Sequence, residues 1–128
     1  MNCECFYVVK DNSFEAAREL AKEIDRVAER QEEEVYPVCI SRAIKDFYAT
    51  SDYDNWGTTF KIKDGTWLVF AQGKDYCMNR IRPKGGRRGF PDQFRSEKFW
   101  EDMYEYIEDV EEVCDNWILR QINQEKSK

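Results

Sequence analysis

Between residues 14 and 28 the apolar side chains recur at steps of three and four: Phe14, Ala17, Leu20, Ala21, Ile24, Val27 and Ala28. That spacing gathers all seven on one stripe of an α-helix. Asn12 stands where an N-cap is needed, and Glu15, three residues on, completes a capping box. The opposite face, with Arg18, Glu19, Lys22, Glu23, Asp25, Arg26, Glu29 and Arg30, alternates in sign as a solvated helix face does. A helix with one apolar stripe needs a surface to cover it, and the rest of the chain has to supply that surface.

Ahead of the helix, Cys3 to Val9 reads as a strand buried on at least one side. Behind it, Pro37 prevents easy continuation, so the helix stops before that point. Val38 to Ile40 suits a short strand, and Ser41 can cap a brief second helix that turns Ala43, Ile44, Phe47 and Tyr48 inward. Asp52-Tyr53-Asp54-Asn55-Trp56-Gly57 looks like the opening of a calcium loop. Trp56 and Lys63 stand where later ligands are required, which leaves a surface turn.

Asp64-Gly65 suits a type I′ turn and predicts a hairpin between Thr58 to Lys63 and Thr66 to Gln72. In that pairing Phe60, Ile62, Trp67, Val69 and Ala71 share the core face, while Lys61, Lys63, Leu68 and Phe70 share the other, which is then partly covered or in use. After Gly73-Lys74-Asp75 a third strand is expected over Tyr76 to Arg82. An odd-numbered turn there sets Arg80 beside Leu68 and near Lys61 and Lys63, and an even-numbered one aims it toward Trp67. Pro83 ends the strand. A last helix follows, starting at Pro91 or, with Ser96 as cap, near Glu97, on the stripe Trp100, Met103, Ile107, Val110, Cys114 and Trp117.

The expected fold is therefore α+β, in the order β-α-(β)-α-β-β-β-α: a single domain over residues 1–123, with a frayed polar tail at 124–128. An antiparallel sheet of three to five strands is packed by a long N-terminal and a long C-terminal helix. The chain's 128 residues suffice for a core without disulfides or metal, and 41% apolar residues with clear periodicity argue against disorder despite 36% charged ones.

Histidine is absent, which removes the usual general base, the Ser-His and Cys-His pairs and the commonest zinc ligand. Five scattered cysteines, Cys3, Cys5, Cys39, Cys77 and Cys114, fit buried thiols in a reducing, cytoplasmic setting. Their clustering in space is left open. No metal or other cofactor is expected. No run approaches the roughly 20 apolar residues of a membrane helix, so no membrane partner is expected. A net charge of −6 also argues against general coating of nucleic acid.

The positive charge is concentrated between Asn79 and Arg95. Six cations, Arg80, Arg82, Lys84, Arg87, Arg88 and Arg95, stand there against Asp92, a local net charge of +5. Gly85, Gly86 and Gly89 lie among them, and a glycine-rich turn leading into a helix can offer main-chain N–H groups and guanidinium forks to an anion. Phe90 and Phe94 can add a stacking surface. Read this way, the protein is a non-enzymatic one that holds, and can sequester, a phosphorylated, nucleotide-like ligand through Arg80, Arg82, Lys84, Arg87, Arg88, Arg95 and Phe90.

The alternative lies in the last helix. Its solvent face carries nine acids against Lys98 alone, a net charge of −8. Such a face steers basic partners. In this reading Glu101, Glu105, Glu108, Asp109, Glu112 and Tyr104 make the protein an acidic inhibitor or adaptor for a basic macromolecule, a protein or a nucleic-acid-binding enzyme. The same face can instead answer the basic loop of a second copy in a homo-oligomer. Many acids are present, but nothing in the sequence pairs two of them for catalysis, so binding is favoured over enzymatic activity.

Overall fold

The computed structural model describes residues 2–33, 35–51, 58–74, 81–91 and 103–113. Its elements are β1 (Asn2–Val9), α1 (Phe14–Arg30), β2 (Val35–Ala43), β3 (Phe47–Ser51), β4 (Thr59–Ile62), β5 (Trp67–Lys74), β6 (Gly86–Pro91), a short 3-10 turn (Met103–Glu105) and β7 (Ile107–Val113). The strands form one antiparallel sheet in the order β4-β3-β6-β1-β5-β2-β7, and α1, the one α-helix among the described residues, packs on it. This mostly-β domain replaces the expected three to five strands between two long helices.

The helix forms where the apolar stripe places it. Ser13, not Asn12, is the N-cap: its backbone is extended and its hydroxyl accepts from the Ala16 N–H at 3.1 Å. Asn12 instead joins α1 to β5, since its Oδ1 accepts from the Trp67 N–H at 2.7 Å. Ala17, Leu20, Ala21, Ile24, Val27 and Ala28 are buried against Cys5, Tyr7, Val9, Val35, Val38, Ile40, Val69 and Ala71. Each large aliphatic buried there contributes about 1.5–3 kcal/mol. The Tyr7 hydroxyl donates to the Ile81 carbonyl at 2.7 Å and holds the start of the 81–83 segment on this core.

The other sheet face makes a second core. Phe6, Ala43, Phe47, Ala49, Ile62, Leu68 and Ile107 are buried together, with Val8, Phe60, Phe70 and Tyr106 packed around them. Phe6 meets Phe47 edge-on at 6.3 Å and Phe70 at 5.7 Å, and Phe47 meets Tyr106 at 6.0 Å. The sheet is thus curled so that β3 and β4 fold back over the face opposite the helix. One corner ties the curl: the Ile44 N–H donates to the Tyr106 carbonyl, the Gly65 N–H to the Ala43 carbonyl, and Asp46 Oδ1 accepts from the Asp64 N–H.

Four expectations are corrected here. The second helix from Ser41 is the end of β2 and the start of β3, with Ala43 and Phe47 inward but Ile44 and Tyr48 exposed. The Asp64-Gly65 turn exists, yet it joins strands that do not pair. β4 pairs with β3, and β5 with β1 and β2. Phe60 and Ile62 consequently lie with Leu68 and Phe70, while Val69 and Ala71 face the helix.

The third correction is that the glycine turn leading into a helix is instead β6, a strand between β3 and β1 that includes Pro91. The fourth is that residues 103–113 of the expected last helix form the 3-10 turn and β7. The remainder of that helix, the Asp52 to Gly57 segment, Asp75 to Arg80 with its register at Gly73, and the tail at 124–128 lie outside the described residues. Ile81 to Pro83 are not in a strand.

Candidate interaction surface

In β6 the side chains alternate between the two cores, and this divides the basic stretch. Arg88 pairs with Tyr7 of β1, faces the helix side and is 0% exposed, its guanidinium 5.2 Å from the Phe90 ring centroid. Arg87 pairs with Val8 and faces the other way. It stacks 4.4 Å from the Phe60 ring and donates from Nε to Ser51 Oγ at 3.1 Å. Phe90 packs half-buried on the helix-side core. Arg82 and Lys84 are exposed, while Arg80 and Arg95 lie outside the described residues.

The glycines in β6 serve close packing. A Cβ at Gly86 would come 2.6 Å from Leu20 Cδ2, and one at Gly89 would come 3.2 Å from both Phe6 Cζ and the Thr50 carbonyl oxygen. Only Gly85, at φ +96°, forms the turn itself, and its carbonyl accepts from the Lys10 N–H at 2.9 Å. Beside that turn a groove of about 470 Å³ runs along α1. Its charged lining is Lys10, Arg26 and Lys84 against Asp11, Glu19 and Glu23, so it offers an anion no net attraction.

The acidic residues are brought together differently. β7 is an edge strand that pairs, among the described residues, with β2 alone. Glu108, Asp109, Glu111 and Glu112 make up four of its seven residues, with no cation among them. Such a strand places acids on both faces. Glu108 pairs with Arg42 and Glu111 with Arg18, on the helix side. On the other side Asp109 Oδ1 accepts from Ser41 Oγ at 2.9 Å, and Glu112 stands opposite Cys39.

Asp109, Glu112 and the exposed Glu105 have no ion-pair partner among the described residues. Cys39 lies in the field of two of them, and its thiol pKa is pushed up to about 11 by burial and by the charges of Asp109 and Glu112. Tyr104 is 68% exposed and Val110 43% exposed, so two apolar side chains stand among the carboxylates. Glu101 lies outside the described residues.

Sequence reasoning omits Val110, Arg18, Arg42 and Ser41 from this surface. A helical projection puts Val110 in the apolar stripe. In β7 it falls where the pairing register with β2 shifts, between Ile40 and Ser41, and it turns outward as an extra residue. Among the described residues no group of three or more cysteine or acidic side chains is placed to hold a metal ion, and no helix is long and apolar enough to cross a membrane. Comparison of the chain with protein-family models, curated proteins and solved structures gives no match.

Proposed function

We propose that this chain is a non-enzymatic acidic interaction protein, an inhibitor or adaptor, that engages a basic macromolecular partner through β7 and the residues just before it. The observation that supports this reading is the placement of acids on both faces of an edge strand, three nearby carboxylates having no cationic partner among the described residues. The exposed Tyr104 beside these charges adds an aromatic contact of the kind protein interfaces favour. A reducing, cytoplasmic setting goes with this reading, supported by Cys5 and Cys39, neither of which is in a disulfide. Retention of a phosphorylated ligand has less support, because Arg87 and Arg88 are committed to opposite faces of β6.

The test is reversal of Glu105, Asp109 and Glu112 to Lys, compared with a charge-matched control that reverses Asp11, Glu19 and Glu32. Binding of a fluorescent oligolysine, followed by anisotropy at low and at physiological salt, should weaken about 10-fold or more in the first variant. The control should lose only the small part due to net charge. Equal weakening in both variants would refute a localised surface.

A further inference from the structure

Resting on the reading above, we propose how the partner docks: it donates an extended basic segment that adds, as a further strand, to the edge of β7 that no described strand covers. An antiparallel edge strand leaves every second residue's N–H and C=O pointing away from its neighbour, a template for another strand. β7 has seven residues, an edge roughly 23 Å long at the usual rise per residue. Along this edge the backbone can supply affinity and the side chains selectivity.

The side chains exclude some occupants. Two β7 edges from different copies would set carboxylates against carboxylates, and like charges across a strand pair are unfavourable. The other edge strand, β4, is only four residues long and carries one cation, Lys61, so a second copy's β4 complements β7 poorly. A basic segment has neither defect. Glu108 and Glu111 lie on one sheet face and Asp109 and Glu112 on the other, so the segment needs cations at successive positions, reaching both faces. At the bulge the exposed Val110 calls for an apolar residue in the middle of the segment. The ion pairs to Arg42 and Arg18 are exposed and weak, and an incoming cation can compete with them.

The probe is a synthetic heptapeptide with three cations on each side of a central valine, compared with the same peptide N-methylated at alternate backbone amides. N-methylation keeps every charge and removes the strand's donors. With the full-length protein, the unmodified peptide should bind at least 10-fold more tightly and should slow amide hydrogen exchange at alternate residues of β7. If both peptides bind equally with β7 exchange unchanged, strand addition is overturned while the acidic-surface reading stands. If neither binds, that reading falls too. Self-association protecting both β4 and β7 without peptide, and lost in Lys61→Glu, would overturn the proposal in favour of a second copy as occupant.

Discussion

Replacing Gly89 by Ala distinguishes a glycine needed for packing from one that merely sits in a turn. The added Cβ would lie 3.2 Å from Phe6 Cζ, 3.2 Å from the Thr50 carbonyl oxygen and 3.3 Å from Phe60 Cζ. All three are tighter than ordinary contact by a few tenths of an ångström, and one is main chain of the neighbouring strand. The backbone of Gly89 is not in the left-handed region, so steric crowding is the dominant cost. Overpacking of this kind costs about 1–3 kcal/mol. The reduced entropy of the unfolded chain offsets about 0.4–1 kcal/mol of that.

The net expectation is a loss of roughly 1–2 kcal/mol, which lowers the melting temperature of a domain this size by roughly 3–9 °C. Urea denaturation should show the midpoint falling with an unchanged slope. Adding Phe60→Leu to the Gly89→Ala variant should recover part of the loss, a coupling that distant sites do not show. A neutral or stabilised Gly89→Ala protein would be the behaviour of a solvated loop. It would refute the placement of β6 between β3 and β1.

Three further outcomes follow from local geometry. Raised from 9.0 to about 11, the Cys39 thiol should react with iodoacetamide about 100-fold more slowly than an ordinary cysteine near pH 8, and Asp109→Asn with Glu112→Gln should speed it. The sign for stability is also set: the unfolded thiol ionises first, so this group's contribution is complete below pH 9 and is lost as pH rises from about 9 to about 11, which Cys39→Ser should abolish in denaturation measurements across that range. Ser13→Ala should cost about 1 kcal/mol in chemical denaturation, whereas Ser13→Asp should retain the cap.

What the sequence discloses here is what local physics decides. The stripe from Phe14 to Ala28 can satisfy no other period, and α1 lies where it points. Leu68 and Phe70 on the face away from the expected core signal that it is partly covered or in use, and a second apolar layer covers it. β7 was not legible. With Glu at four positions between Glu105 and Glu112, the segment is rich in helix-forming residues, and as an edge strand with charges on both faces it lacks the alternation that marks a half-buried strand. Pairing with β2 overrides that propensity.

The basic stretch misleads for a related reason. Gly86 and Gly89 are read from sequence as backbone freedom, although their role is to make room for Leu20, Phe6 and Phe60, residues far away along the chain. Arg87 and Arg88 are adjacent in sequence and therefore on opposite faces of a strand, a separation that is invisible until the strand is recognised.

The place of β1 in the middle of the sheet has a consequence for how the fold is reached. Phe6 finds its partners in Phe70, 64 residues on, and in Gly89, 83 residues on. Of the six strand pairings among the described residues, only β3 with β4 joins consecutive strands. Almost no part of the sheet can form early and wait for the rest, so loop-closure entropy has to be overcome before most contacts exist. During synthesis β1 and the stripe of α1 emerge well before β5 and β6 can flank them. Until residue 89 has left the ribosome, the strand at the centre of the finished sheet still lacks part of its partnership with β6.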